Sequence, residues 1–534
     1  MIYKKKEKIG GKWWLHGNKD MEIKNRSVNI NNIQNEDIKS AENIKESNTK
    51  QTGGENSALL SVCPLTAELI ANITGGDVIP VNGGFGGESR VFTKDSREVS
   101  EGCIFVAIRG EKYDAHDFIT QAIEGGARII IAERCPAADT LPCGADVVIV
   151  HNTVAAMGAL AAYFIEKSGA KTIAVTGSVG KTTTKELIAT VLSERYKTHK
   201  TEGNKNNEIG LPLTALSMPS DAEYGVFEMG MSARGEIGAL SRIVKPNITV
   251  ITNIGTAHME RLGSRENIAK AKLEVLWGMS EGRILIINAD EPLLTHADVS
   301  PAKAVTVSLY SRSADYRAVN IRQIGGGMIF DLIYNSKVCT NVEIPILGTH
   351  NVLDALYAFA IGIIEGMTEE EIRRGLRKFR GVSMRQRIYD ISGVTIIEDC
   401  YNASPESMRA GIDVLCSMAK EKGGRPAALL GDMLELGEYS SLLHEQLGIY
   451  AARAGVKLLF TYGPFAENIA HSAITNGIRA ENVYVNLNYT DPASTGEMIL
   501  SALRPGDVLL VKASRAVAAE KVIEYIKGRK FAGV

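Results

Sequence analysis

The sequence lacks the patterns that mark secreted, zinc-binding and membrane-spanning proteins. Its seven cysteines are scattered without CxxC spacing, which argues against a disulfide framework or a zinc site and indicates reduced thiols. No uninterrupted apolar run approaches the ~20 residues of a membrane helix. The start, MIYKKKEKIGGKWWLHG, is basic but has no apolar core, so it does not resemble a signal peptide. We therefore expect a cytoplasmic protein with no membrane span.

An excess of charge of either sign is also missing. The formal net charge is −2, with 60 basic and 62 acidic side chains. A protein that binds nucleic acid or an anionic membrane surface usually carries a basic excess. The charge balance therefore predicts no nucleic-acid partner.

The chain does contain a repeating α/β pattern over most of its 534 residues. At roughly 150 residues per domain, this length corresponds to about three domains. Strand–loop–helix units recur in two blocks, which predicts two mostly parallel sheets. The N-terminal stretch is instead rich in Asn, Lys, Glu and Ser and has too little apolar surface to offset its ordering entropy. We predict a disordered extension over 1–61 and α/β domains over 62–168, 169–381 and 382–534.

One motif, TGSVGKTTTKE, has the features of a phosphate-binding loop. A predicted strand leads into it and a predicted helix leads out, so backbone N–H groups and a helix N-terminus face an anion. The predicted loop residues are Gly177, Ser178, Val179, Gly180, Lys181, Thr182 and Thr183. Lys181 would reach the β- and γ-phosphates of a nucleotide, and the Thr182 hydroxyl would bind Mg²⁺. A GTPase switch is disfavoured because no DxxG or NKxD motif follows in the same domain.

Two further side chains lie where apolar strands end in the same block. Glu228 ends YGVFEMG and His258 follows NITVITNIG. Alone, each is more often a cap or a structural residue. The carboxyl ends of parallel strands converge on one crevice, however, so together with Thr182 they form a candidate metal site.

Lys272 in SRENIAKAKLEVLWGM is the third unusual residue. At 100° per residue it falls within the apolar arc of its helix, whereas Lys270 and Glu274 fall on the polar side. An inward-facing lysine needs a partner or a chemical role. The alternative is that its ammonium reaches the helix rim and is merely solvated.

The motifs TGSVGKTT, TEGNKNNEIGLP, EMGMSARGEI, NIGTAHMERLGS, AKAK, NADEP, GTHN and RQR together resemble those of the Mur ligases. These enzymes form amide bonds in peptidoglycan precursors at the expense of ATP, and the resemblance covers about residues 63–530. It implies a three-domain Mur ligase architecture with a central P-loop ATPase domain and a Rossmann-like C-terminal domain. DSREVSEGCIFVAIRG resembles the uridine-nucleotide-binding domain, so 62–168 would bind the UDP-muramoyl substrate. EDCYNASPESM and LLGDMLELGE are similar to the D-alanyl-D-alanine-adding branch.

The resemblance implies a reaction and its participants. The terminal carboxylate of a UDP-N-acetylmuramoyl-tripeptide attacks the γ-phosphate of ATP, and the amine of D-alanyl-D-alanine then attacks the acyl phosphate. It also implies two Mg²⁺ ions, a carbamylated Lys272 and a monomeric enzyme. In this scheme charge neutralisation and positioning are the protein's main contributions.

Carried over position by position, the resemblance also implies roles for single residues. The catalytic set is Lys181, Glu228, His258, Lys272, Arg385 and Asp399, and the metal ligands are Thr182, Glu228, His258 and Lys272. Besides the phosphate loop, the nucleotide would contact Asn288, His350, Asn351 and Arg385. The two substrates would contact Asp95, Ser96, Arg97, His116, Asn204, Asn206, Asn207, Tyr401 and Asn402.

The chain departs from the family pattern at several positions. Val179 and Asp354 each stand where Asn is usual, Ala115 stands where Gly is usual, and Ala513 changes KGSR to KASR. None of these changes removes a charged group that the chemistry needs. The alternatives that remain are a lysine- or diaminopimelate-adding ligase, a folylpolyglutamate synthetase, and a non-catalytic protein that only binds a nucleotide.

Overall fold

The computed structural model describes residues 55–531. Nearly all of the predicted disordered extension lies outside these residues. Among those described, no helix combines the length and the hydropathy needed to cross a bilayer.

The first domain is built on a six-stranded sheet in the order β1-β3-β4-β5-β6-β2. Inner strands are parallel, and β1 and β2 add at the edges in antiparallel register. Its strands are β1 Ser57–Leu59, β2 Asp77–Val81, β3 Val91–Thr93, β4 Ile104–Val106, β5 Ile129–Ala132 and β6 Ala145–Ile149. Its helices are α1 Ala67–Thr74, α2 Ile119–Glu124 and α3 Thr153–Ser168.

The predicted end of the extension at residue 61 is wrong by several residues. Ser57–Leu59 pairs with Val91–Thr93, and Ala58 and Leu60 are buried in the first core. The composition of the extension as a whole masked the short apolar run SALLSV. A three-residue edge strand contributes too little periodicity to stand out from its polar surroundings.

The central domain holds a nine-stranded sheet in the order β15-β14-β13-β12-β11-β10-β7-β9-β8. Strands β7 to β13 are mutually parallel, and β13, β14 and β15 form an antiparallel meander at one edge. The strands are β7 Lys171–Thr176, β8 Thr198–Lys200, β9 Tyr224–Glu228, β10 Ile248–Ile251, β11 Ile284–Asn288, β12 Lys303–Ser308, β13 Tyr316–Ile324, β14 Gly327–Tyr334 and β15 Lys337–Ile344.

Helices cover both faces of this sheet. They are α4 Lys181–Leu192, α5 Gly210–Leu216, α6 Glu236–Val244, α7 Met259–Leu262, α8 Arg265–Leu273, α9 Pro292–Thr295, α10 Thr349–Ile364 and α11 Glu369–Arg377. The α10 segment is apolar on most sides because it packs between the sheet and α4, and its residues from Ala355 to Ile361 are fully buried.

The third domain is a doubly wound sheet in the order β16-β17-β21-β18-β19-β20, parallel except at β16. Its strands are β16 Arg387–Ile391, β17 Val394–Glu398, β18 Pro426–Gly431, β19 Leu458–Tyr462, β20 Val483–Asn486 and β21 Val508–Lys512. The helices are α12 Pro405–Lys422, α13 Ser440–Ala454, α14 Ala466–Thr475, α15 Pro492–Ala502 and α16 Glu520–Ile526. The last strand, β21, is inserted between β17 and β18, so residues distant in the chain meet at one sheet edge.

The third domain packs directly against the central one. A single hydrophobic cluster contains Leu347 and Val352 of the central domain and Val414 and Leu415 of α12. Polar contacts also join the two domains, among them a hydrogen bond of 3.1 Å from Thr256 N–H to Glu406. The carboxyl ends of β7, β17 and β21 consequently face a shared cleft.

Candidate active site

The loop between β7 and α4 has the conformation of an anion cradle. Gly177 and Gly180 have φ of 147° and 86°, values that favour glycine. A side chain at Gly177 would collide with Thr252, since an added Cβ would lie 1.9 Å from its hydroxyl oxygen. Asn253 holds the loop from the other side, because its Oδ1 accepts a hydrogen bond of 2.9 Å from Val179 N–H. The loop is therefore tied to the end of β10, and Asn253 is a support that the sequence analysis missed.

Most of the predicted nucleotide-binding residues line one cleft between the central and third domains. They are Ser178, Val179, Gly180, Lys181, Thr182, Thr183, His350, Asn351 and Arg385. Asp399, Tyr401 and Asn402 line the opposite wall. Gly177 and Asn288 do not line it: Gly177 packs on Thr252, and Asn288 Oδ1 accepts from the backbone of Asp290 at 2.9 Å.

Two cationic side chains, Lys181 and Arg385, line this cleft. Burial lowers the pKa of Lys181, the Glu228 carboxylate opposes that shift, and the Arg385 charge adds to it. The Arg385 guanidinium stacks on the Tyr401 ring at 4.5 Å, and its buried Nε has no hydrogen-bond partner within residues 55–531. Lys181 Nζ donates to the Gly177 carbonyl oxygen at 2.8 Å, and the Arg385 Nε donor has this second cation nearby, an arrangement that suits a polyphosphate.

Glu228, at the end of β9, is buried with one oxygen engaged and one oxygen free. Asn206 Nδ2 donates to its Oε1 at 2.9 Å, and Lys185 Nζ lies 3.8 Å from its Oε2. That Oε2 is buried and accepts no hydrogen bond from the described part of the chain. An orphaned carboxylate oxygen near the start of α4, where the Thr182 hydroxyl is also buried, fits a divalent cation.

His258, which the sequence predicts as a metal ligand, contacts a carboxylate of the third domain in the structure. It begins α7 with a φ of 65°, and its Nδ1 lies 2.5 Å from Glu435 Oε2 of the third domain. This contact lowers the pKa of Glu435. Residues 55–531 contain no group of three His, Cys, Asp or Glu side chains arranged around a common metal position. A cation beside Glu228 would therefore also need ligands of another type, such as the Thr182 hydroxyl.

Lys272 faces inward, as its helical position predicts. It is 2% exposed, so the alternative in which its ammonium reaches solvent at the helix rim is wrong. Within the described residues no carboxylate lies within 4 Å of its ammonium. Burial holds its pKa well below the usual value, and the nearby Lys181 charge lowers it further.

His350 and Asn351 begin α10 and connect the two domains. His350 Nε2 accepts hydrogen bonds from Asn351 Nδ2 at 3.1 Å and from Gln386 Nε2 at 3.0 Å. Burial lowers the pKa of His350 to about 4, with Asp399 opposing the shift and Lys512 adding to it. His350 is therefore a neutral imidazole that fixes Gln386, next to Arg385, at the cleft.

Asp354 lies one turn further along α10, beneath the phosphate loop. It is 4% exposed, and Thr184 Oγ1 donates to its Oδ1 at 3.0 Å. A Cβ added at Gly180 would lie 2.7 Å from the same oxygen, so the carboxyl group touches the loop backbone. Burial raises the pKa of Asp354 to about 8, against the opposing effects of Thr184 and Arg385. At neutral pH it is therefore a protonated acid that resembles an amide.

We predict that Asp354→Asn stabilises the protein increasingly as pH rises. An unfolded aspartate titrates near pH 4, whereas the folded one titrates near 8. The folded state thus holds the extra proton between these values, and wild-type stability falls as pH rises through that window. The unfolding temperature of Asp354→Asn should exceed that of wild type by at least about 2 °C more at pH 8 than at pH 5. Parallel profiles for the two proteins between pH 5 and pH 8 would contradict this prediction.

A second pocket lies in the first domain, where the substrate residues were expected. It is lined by Asp95, Ser96 and Arg97, together with Lys94, Lys112 and the exposed ring of Tyr113. Asp95 also caps the short helix Ser96–Glu98, and the Arg97 guanidinium donates to it at 2.6 and 2.9 Å. The pocket therefore presents cations and an aromatic ring, groups that suit a nucleoside diphosphate.

The prediction that His116 binds substrate is corrected by the structure. Its side chain is 3% exposed, with Nδ1 2.6 Å from Asp114 and Nε2 accepting from the Glu133 backbone at 2.9 Å. Both ring nitrogens are used inside the domain, so His116 joins Ala115–Phe118 to the end of β5. A lone histidine in the stretch EKYDAHDF gave no signal that would distinguish these two roles.

The three asparagines after β8 also have separate positions. Asn206 contacts Glu228, as described above. Asn207 Oδ1 accepts from Gly210 N–H at 2.8 Å and thereby starts α5, while Asn204 is exposed. Only Asn206 is joined to the other candidate catalytic residues.

The three α/β layers, the phosphate loop and the interdomain cleft define a nucleotide-dependent ligase architecture, and family models agree. Residues 91–165 match the Mur ligase family catalytic domain, 175–362 the Mur ligase middle domain, and 384–515 the Mur ligase glutamate ligase domain. The chain belongs to the Mur ligase family.

Individual relatives point to one branch of that family. The UDP-N-acetylmuramoyl-tripeptide–D-alanyl-D-alanine ligase of Bacillus subtilis is 39% identical over 431 residues, which are 80% of this chain and 91% of that enzyme. The ligase of the same name from Escherichia coli is 33% identical, over 82% of this chain and 93% of that enzyme.

Solved structures agree with these relatives. MurF from Acinetobacter baumannii is 29% identical and superposes with a TM-score of 0.78 over 87% of this chain and 99% of its own. MurF ligase from Thermotoga maritima, in complex with ADP, is 30% identical with a TM-score of 0.73, over 82% of this chain and 96% of its own.

Proposed function

We propose that this protein is an ATP-dependent ligase that joins D-alanyl-D-alanine to the terminal carboxylate of UDP-N-acetylmuramoyl-tripeptide. The observation that carries the proposal is the cleft in which Lys181 of the phosphate loop faces Arg385 and Asp399 of the third domain. The relatives that match most of the chain bear the name of this activity. The step belongs to the synthesis of peptidoglycan precursors in the cytoplasm, and we propose that the enzyme acts as a monomer.

The chemistry needs an activated carboxyl group. The tripeptide carboxylate attacks the γ-phosphorus of ATP and ADP leaves, which gives an acyl phosphate. The D-alanyl-D-alanine amine then attacks the acyl carbon and inorganic phosphate leaves as the amide bond forms. Lys181, Arg385 and the loop N–H groups neutralise and orient the phosphates, and closure of the cleft over the substrates would exclude water that would hydrolyse the acyl phosphate.

We also propose that the site takes Mg²⁺, in keeping with the orphaned oxygen of Glu228. Thr182, Glu228 and His258 would hold one ion, and a carbamylated Lys272 would orient a second. When bound, Mg²⁺ would neutralise the β- and γ-phosphates. His258 would have to exchange its contact with Glu435 for that role.

The acceptor that best stimulates phosphate release distinguishes this function from its alternatives. Phosphate release should be measured with ATP, Mg²⁺ and UDP-N-acetylmuramoyl-tripeptide and with D-alanyl-D-alanine, D-alanine, L-lysine or diaminopimelate as acceptor. We expect D-alanyl-D-alanine to exceed each of the others by roughly 100-fold in kcat/KM. Faster release with L-lysine or diaminopimelate would assign the protein to the neighbouring branch. Nucleotide binding without release for any acceptor would favour the non-catalytic alternative.

A further inference from the structure

We propose that Lys512 is a positioning residue that fixes Arg385 in the cleft, an inference that rests on the proposed ligase function. It acts through the segment Asp399–Asn402, which carries the ring on which the Arg385 guanidinium lies. Lys512 is the last residue of β21 and lines the cleft, yet it is 2% exposed. Lys512 is the first residue of KASR, where the chain departs from the family's KGSR at Ala513, but the motif by itself assigned Lys512 no role.

Three protein oxygens surround the Lys512 ammonium. Its Nζ lies 2.6 Å from Asp399 Oδ2, 3.4 Å from the Asp399 carbonyl oxygen and 3.2 Å from the Asn402 carbonyl oxygen. An ammonium has three donors, so these contacts account for its hydrogen-bonding capacity. Lys512 therefore has no donor left for a phosphate, and its role differs from that of Lys181.

The oxygens that Lys512 binds stand at both ends of a four-residue turn. Asp399 follows β17 directly, and Asn402 precedes the cap of α12. Between them, Tyr401 N–H donates to the Met384 carbonyl at 3.2 Å, and the Tyr401 ring lies 4.5 Å from the Arg385 guanidinium. The buried Lys512 ammonium thus binds both ends of the turn, and the Tyr401 ring in the middle of the turn packs against the Arg385 guanidinium.

The neighbouring groups make this position sensitive to the shape of the cation. The Asp399 side chain is 14% exposed, so losing Lys512 would leave a carboxylate and a carbonyl with little solvent to replace the ammonium. Arginine keeps the charge, but its planar guanidinium cannot direct donors to three oxygens around one point. We therefore expect Lys512→Arg to fold and to misplace the turn.

A double-mutant cycle tests the proposal in the full-length protein. Lys512→Arg, Arg385→Ala and their combination are compared for ADP affinity by calorimetry and for phosphate release with D-alanyl-D-alanine. Lys422→Met is the matched control, because Lys422 Nζ donates to Thr395 Oγ1 at 2.7 Å on the same β17 strand, away from the cleft. Unfolding temperatures of all variants establish that they are folded.

We expect Lys512→Arg to lower kcat about tenfold, with a smaller change in the KM for ATP, and Lys422→Met to stay within about twofold of wild type. The combined variant should lie within about threefold of Arg385→Ala alone in both kcat and ADP affinity, because both changes remove the same interaction. Independent, multiplying effects in the cycle would overturn the proposal, as would wild-type kcat and ADP affinity for Lys512→Arg. If the wild type released no phosphate with D-alanyl-D-alanine, the ligase function would fail, while the ADP cycle would still decide the role of Lys512.

Discussion

Replacing Arg385 by alanine is expected to lower phosphate release by about 10²–10³-fold. The guanidinium stacks on Tyr401, faces Lys181 and has a buried Nε without a partner among residues 55–531. The guanidinium can therefore stabilise the negative charge that develops on the transferred phosphate. The fold should persist, because Arg385 anchors no other side chain of the described chain by an ion pair.

Arg387→Ala is the matched control for this prediction. Arg387 lies two residues away and also stacks on a tyrosine, Tyr389, at 5.3 Å, but it is exposed and does not line the cleft. Its replacement should change turnover by less than about twofold and stability by about 0.5 kcal/mol or less. Equal losses for the two variants would show that the position of Arg385 in the cleft has no special role.

The second large effect is expected at Lys272. We predict that Lys272→Ala lowers phosphate release by about 10²-fold or more, and that acetate or propionate partly restores it. Burial and the Lys181 charge lower the pKa of Lys272, which favours the neutral amine, the form that adds CO₂ to give a carbamate. The carbamate would supply the anionic oxygens that the unpaired ammonium lacks beside a Mg²⁺ site.

Lys270→Ala provides the comparison on the same helix, since Lys270 is exposed. It should keep wild-type turnover and gain nothing from added carboxylates. A readout independent of turnover is the carbamate ¹³C signal after equilibration with ¹³C-bicarbonate, which should appear in wild type and disappear in Lys272→Ala. Wild-type turnover of Lys272→Ala, or no carbamate signal in the wild type, would refute the modification.

The structure shows the two domains in contact around these residues. Thr256 binds Glu406, His258 contacts Glu435, and Ser417 Oγ donates to Gln323 at 2.6 Å. Two of these contacts involve the segment from 256 to 258, which follows β10 beside the phosphate loop. Entry of a nucleotide and a metal ion would therefore compete with Glu435 for His258, and the domains are joined at the point where the chemistry would occur.

Much of the local structure followed from neighbouring residues alone. The loop TGSVGKTTTKE lies between a strand and a helix, as its glycines and the flanking apolar run predict. Lys272 faces the core, as predicted, because the apolar periodicity of its own helix is enough to show which side of that helix is buried. The strands that escaped detection, such as Thr198–Lys200 and Arg387–Ile391, are short and only partly buried. Three to five partly buried residues give too few apolar–polar alternations to stand out from their surroundings.

The sequence by itself determined the α/β class, the phosphate loop and the inward side of Lys272, since each depends on residues within one or two turns of the chain. Tertiary structure alone decided which distant groups meet. Lys512 binds Asp399 across 113 residues because β21 is inserted beside β17, and Asp354 becomes a neutral acid because α10 buries it under the loop. His116 and His350 look alike as single residues, yet one is used inside its domain and the other faces the cleft. Strand order, burial and the local field arise from packing, and spacing along the chain does not encode them.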